Sequence, residues 1–163
     1  MLRIIREALA SEPEGTGSDL AAALEYAGRV QRKRAVVFVI SDFLVPEFGR
    51  SLRLLARRHD VIAAQIVDQS TLELPRAGLV HVRDLETGQS RWVDSGSAKV
   101  REAWAARMRA RQTQLTETMK RSGVDRMEIV LRGHGDEPGY IERCVGDAIV
   151  RFFRMRELRG GRR

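Results

Sequence analysis

Apolar and polar positions along the chain fall into a sequence of helical and extended periods. Leu2, Ile5 and Leu9 share one stripe and predict a helix over residues 2–10, which SEPEGTGSD then breaks with Pro13, Gly15 and Gly17. Ser18, a good N-cap residue, opens a second predicted helix with Leu20, Leu24, Ala27 and Val30 pointing inward. Six consecutive apolar residues, Ala35 to Ile40, then end abruptly at Ser41 and Asp42. A run so short and so rich in Val and Ile reads as a strand buried on both faces of a parallel sheet. VPEFGRSLRLLARRH is helical from Pro46 with Phe48, Leu52 and Leu55 on its core face, and DVIAAQIVD, residues 60–68, is a second buried strand. Helix, strand, helix, strand in that order predicts parallel strands joined by helical crossovers.

The pattern then changes. Leu79 to Arg83 and Gln89 to Val93 alternate about a turn bearing Gly88 and predict a β-hairpin. A long helix follows from Ser97 to Ser122, stopped by Gly123, with Val100, Trp104, Met108, Leu115 and Met119 on one face and Arg111 interrupting them. DRMEIVLR gives a third buried strand, GHGDEPGY a loop, and residues 139–156 a closing helix with Ile141, Val145, Ile149 and Phe152 inside. The predicted architecture is α/β: three parallel strands flanked by helices, with an inserted hairpin. One domain over residues 1–156 and a basic, flexible tail over 157–163 account for the chain, and neither repeats nor a domain linker interrupt it.

Composition narrows the function classes. At 163 residues and 43% apolar content the chain can bury one real core. Its longest apolar runs fall far short of the roughly 20 residues that span a bilayer, and Arg6 and Glu7 break the N-terminal stretch, so neither a membrane span nor a secretory signal is expected. Cys144 is the single cysteine, which excludes an internal disulfide and a Cys-rich zinc site. A cytoplasmic protein is the expectation. The net charge of +7 raises nucleic acid, acidic lipid or an acidic protein as partners. Basic residues are spread along the whole chain, however, and aromatics make up only 6%, so a basic nucleic-acid-binding module stands as the alternative.

Candidate chemistry gathers where the strands end, because loops at the carboxyl edge of a parallel sheet converge on helix N-termini. Asp42, Asp68, His134 and Asp136 fall at such positions. A Ser18 hydroxyl with an Asp42 carboxylate would offer hard oxygen ligands to Mg²⁺, but two protein ligands make a poor site. The plainer reading gives Ser18 or Asp19 the cap of its helix and Asp42 a turn. His59, His81 and His134 lack ligand spacing, no Ser-His-Asp or Cys-His arrangement has motif support, and GTGSD lacks the Lys-Ser/Thr of a phosphate-binding loop. An enzyme is therefore not expected. Trp92 and Trp104 are expected to pack together as core, with an exposed Trp92 as a partner anchor the alternative.

The segment GTGSDLAAALEYAGRVQRKRAVVFVISDF resembles the second half of a von Willebrand factor A-like domain, and more narrowly the bacterial domain-of-unknown-function family 58. SLRLLARRHDVIAAQIVD, LPRAGLVHVRDLETGQSRWVD and the closing RFFRMRE resemble the same family in the same order, which extends the likeness over nearly the whole chain. The resemblance implies a partial von Willebrand-A or Rossmann-like sheet, and a metal-ion-dependent adhesion site. In that site an Asp-x-Ser-x-Ser loop, a Thr and a later Asp hold the cation. By motif position Ser18 stands for the Thr and Asp42 for the last Asp.

The first element has no counterpart: DSGSA at Asp94 has Gly96 and Ala98 where serines are required, and DQSTL at Asp68 has Leu72. The site is incomplete, so Mg²⁺ binding is expected to be weak or absent and no other cofactor is implied. The resemblance also implies a protein-interaction adaptor beside a MoxR-type AAA+ ATPase. The chain reads as the C-terminal portion of the family domain, without the first strands. That reading leaves one edge of the Ala35–Ile40 strand unpaired, and a homo-oligomer through this edge is expected, unless the first two helices fold over it.

Overall fold

Asp19 rather than Ser18 caps the first described helix. Its carboxylate accepts the Ala22 amide at 2.8 Å, and α1 runs Leu20–Val30. The computed structural model describes residues 6, 10, 17–45, 47–83, 88–131 and 138–160. The predicted helix over 2–10 therefore lies outside the described residues except for Arg6 and Ala10. After α1 come β1 (Val36–Ser41), α2 (Gly49–Ala56) and β2 (Asp60–Asp68), then a hairpin of β3 (Leu79–Arg83) and β4 (Ser90–Asp94). The long helix α3 (Ala98–Ser122), β5 (Asp125–Leu131) and α4 (Tyr140–Gly160) complete the chain. Gly123, in the left-handed region at φ 68°, ends α3, a conformation that costs glycine little because it has no Cβ.

β1, β2 and β5 form one parallel sheet in that order, with Val36 beside Asp60 and Ile62 beside Asp125 at the start of the two ladders. On one face Val39, Val61 and Ala63 pack under Leu24 of α1, Leu52 and Leu55 of α2, and Leu115 and Met119 of α3. On the other, Ile62, Ala64, Met127 and Ile129 lie against α4 through Ala148, Val145 and Phe152. Each fully buried Leu or Ile contributes on the order of 1.5–3 kcal/mol, and Leu52 and Ile62 are both wholly excluded from water. The hairpin is a separate antiparallel sheet tied at its base by the buried Ser95. The Ser95 hydroxyl donates to the Gly78 carbonyl at 2.8 Å and accepts the Ala77 amide at 3.1 Å, while Arg101 of α3 donates to the Ser95 carbonyl at 2.7 Å.

α4 is fastened to the sheet by charge as well as by packing. Arg156 donates to both carboxylate oxygens of Asp60, at 2.8 and 2.9 Å, and lies 3.2 Å from Asp125. One guanidinium thus holds the helix to the first residues of two neighbouring strands. The hydrogen bond to Asp60 is the main cause that holds the Arg156 pKa above its ordinary value. The helix continues through Glu157 to Gly160, the first four residues of the expected tail.

Several expectations need correction. β1 is not buried on both faces: Val36, Phe38 and Ile40 are 56, 46 and 66% exposed, because α4 covers β2 and β5 but not β1. The inner stripe of α4 is Val145, Ala148 and Phe152 in line with Arg156, and Ile141 and Ile149 face out, since the small Ala148 lets the helix approach the sheet. Trp92 and Trp104 do not pack together as core. Trp92 is exposed and stacks on His81 across the hairpin at 4.9 Å, whereas the Trp104 indole donates to the Thr71 carbonyl at 3.0 Å. Val30, expected inside, is also exposed.

Candidate functional site

The crossover β1–α2–β2 sets the carboxyl edge of the sheet, and contacts between α1 and α2 fix which end of α1 belongs there. Ser51 donates to Glu25 at 2.9 Å, and Arg58 donates to the Gly28 carbonyl at 3.1 Å, so the two helices run in the same direction. The start of α2 follows the end of β1, and therefore Ser18 and Asp19 lie at the same end of the sheet as Asp42. The exposed Ser18 immediately precedes the cap.

Each carboxylate at this edge shapes its own loop. Asp42 accepts the Leu44 amide at 2.9 Å, and the Ser41 hydroxyl accepts the Phe43 amide at 2.9 Å. Asp68 accepts both the amide and the hydroxyl of Ser70, at 2.8 and 2.7 Å. These are Asx-type turns, in which a short acidic side chain replaces a backbone partner. Phe43 and Glu47 in the loop after β1 have positive φ, 56° and 51°, which is unfavourable for side chains with a Cβ. Phe43 is held there by burial and by contact with the Phe48 ring at 5.5 Å, and Arg111 of α3 donates to the Leu44 carbonyl.

Mg²⁺ needs a near-octahedral set of oxygens, and among the described residues this edge does not assemble one: the Asp42, Asp19 and Asp68 carboxylates each accept a hydrogen bond within their own turn or cap. Among the described residues no three His, Cys, Asp or Glu side chains come together. His134 and Asp136 lie outside the described residues.

A polar constellation that the sequence reading passed over lies between α3 and the sheet. Gln112, Thr116, Arg126, Glu128 and Val67 line a cavity of about 500 Å³. Arg126 donates to Gln112 at 3.1 Å and to Thr116, and pairs with Glu128, while burial pushes its pKa below the ordinary value. The buried Gln65 amide reaches Gln112 at 3.4 Å, and its carbonyl oxygen has no partner among the described residues. One signal was available: Gln65 is a lone amide in the otherwise apolar stretch VIAAQIV. His59 is likewise buried, with neither ring nitrogen hydrogen-bonded among the described residues.

An α/β module with a three-strand parallel sheet, capped turns at its carboxyl edge and a separate hairpin is the class these features define. A family model described as "Protein of unknown function DUF58" matches residues 1–114, and the chain belongs to that family. The match ends within α3, so the likeness of the later strand and closing helix rests on their residues alone.

Relatives of the chain include the uncharacterized protein MAV169 of Mycobacterium avium, 35% identical over 112 residues, which are 68% of this chain and 66% of that protein. The uncharacterized protein Rv1480 of Mycobacterium tuberculosis is 40% identical over 89 residues, 54% of this chain and 28% of that protein. The chain thus spans just under two thirds of the first and little more than a quarter of the second. No solved structure matches it. No helix among the described residues is long and apolar enough to cross a membrane.

Proposed function

We propose that the chain is a protein-interaction module of the von Willebrand-A-like type, acting in the cytoplasm beside a MoxR-type AAA+ ATPase in the assembly or activation of other complexes. The observation that carries this reading is the set of large apolar side chains left exposed on β1 and α4. Val36, Phe38 and Ile40 on β1, with Ile149, Phe153 and Leu158 on α4, are exposed although each would contribute to a core if covered. Val36, Phe38 and Ile40, at alternate positions of one strand, form a contiguous exposed apolar row, and such rows are characteristic of surfaces that meet other proteins. At the carboxyl edge the Asp42 and Asp68 side chains hold turns.

The choice of an ATPase as partner rests on the family resemblance. It is tested by immobilising the chain and measuring binding of a MoxR-type ATPase from the same host, with and without EDTA. The expected result is saturable binding that chelation leaves unchanged. Absence of binding at micromolar ATPase would sink the adaptor reading, and loss of binding in EDTA that Asp42→Ala reproduces in Mg²⁺ would point to a cation held by this chain.

A further inference from the structure

The open face of β1 coincides with its open edge. The Asp60 amide donates to the Ala35 carbonyl at 2.9 Å. In a parallel ladder alternate residues direct both backbone groups at the same neighbour. Val37 and Val39 therefore bond β2 along with Ala35, and Val36, Phe38 and Ile40 direct their N–H and C=O groups away from it. β1 is a terminal strand of its sheet, and no other described segment pairs with it. The opposite terminal strand is guarded differently: β5 carries Asp125, Arg126 and Glu128, charges that discourage strand addition. No charge interrupts Val36 to Ile40.

Taking every second residue, the outward series is Arg34, Val36, Phe38, Ile40, Asp42. Read backwards it complements itself, with basic against acidic, Val against Ile, and Phe against Phe. We infer that two copies of this chain pair antiparallel through β1, about a two-fold axis at Phe38, to give one continuous sheet. In that register Val36 of each copy faces Ile40 of the other, and Arg34 faces Asp42 at both ends of the pairing. The backbone groups that β1 turns outward exchange about six hydrogen bonds, two for each directly bonded pair. Sliding the register by two residues in either direction sets Arg34 against Ile40 or Val36 against Asp42, a charge against an apolar side chain. Charge thus selects both the partner, a second copy, and the alignment. This inference stands apart from the ATPase reading, and either can fail without the other.

The test is the solution mass of the chain by light scattering, compared with Phe38→Asp, Arg34→Asp and Asp42→Arg. All three positions are solvent-exposed, so far-UV circular dichroism of each variant should match the parent, with Asp42→Arg losing only the stability its own turn contributes. The parent is expected at twice the mass of one chain and Phe38→Asp as a monomer. Each single charge reversal should weaken the dimer roughly tenfold, since it turns two cross-strand pairs repulsive. Mixing Arg34→Asp with Asp42→Arg should restore it, because every pair in the mixed dimer is again opposite in charge. A monomeric parent at high micromolar concentration overturns the inference, as it would if another segment or another protein covers the edge. A dimer whose affinity is indifferent to the reversals and to their mixing overturns the register.

Discussion

Asp42, the cation ligand that motif position suggests, is the keystone of an Asx turn, with one carboxylate oxygen accepting the Leu44 amide at 2.9 Å. The turn sits beside a Phe43 whose positive φ is sustained by neighbouring contacts, so removing one contact should be felt locally. Asp42→Ala is expected to cost about 0.5–1.5 kcal/mol in urea denaturation, the usual worth of a net hydrogen bond. The cost should be identical in excess Mg²⁺ and in EDTA. Were magnesium bound here, it would raise the parent's stability by about 2.7 kcal/mol at a hundredfold excess over its dissociation constant, and the variant would lose that gain. Equal melts in both buffers check the first expectation, and a metal-dependent difference defeats it.

At the scale of elements, what could be read from sequence depended on whether a signal was local. Leu52 and Leu55 mark the core face of α2 by spacing alone, and both are buried. Gly123 marks the end of α3 because left-handed backbone favours glycine. The strands over 60–68 and 79–83 fall where their apolar patterns place them. Missed features depend on where one element lands on another. Six apolar residues look alike whether a helix covers one side of them or both, so Val36, Phe38 and Ile40 gave no sign that α4 would stop short of β1. The stripe of α4 was misplaced for a similar reason: Ile149 outranks Ala148 in hydrophobicity, but the sheet admits the smaller side chain.

At the candidate site, the alternative that Ser18 or Asp19 caps α1 while Asp42 forms a turn was legible from residue type and position, though which of the two caps, Asp19, was not. The Arg126–Gln112 pairing was not, because its members lie on α3 and β5 and meet only in the fold. Arg156 and Asp60, separated by 96 positions, form the corresponding long-range contact that sets α4 in place. Arg156→Met and Asp60→Asn should each destabilise the chain, and the double-mutant cycle should return a coupling of about 1–2 kcal/mol. A coupling near zero would mean that packing of Val145, Ala148 and Phe152 alone locates the helix.

The whole molecule is asymmetric about β2, the strand paired on both sides and covered on both faces by α1–α3 and by α4. That position has a consequence in time. An amide exchanges with solvent only when its hydrogen bond opens, and local openings are rarest where neighbours must separate on every side. In deuterium exchange followed by mass spectrometry, peptides covering Val61 to Val67 should therefore be the last to label, near the rate of global unfolding. Peptides covering Val36 to Ser41 should label faster and slow markedly as protein concentration rises and the proposed dimer fills. If β1 exchanges as slowly as β2 even in dilute solution, its outer edge is already occupied within a single chain. The clock kept by β2 would then be shared by the strand beside it, and the two would open as one unit.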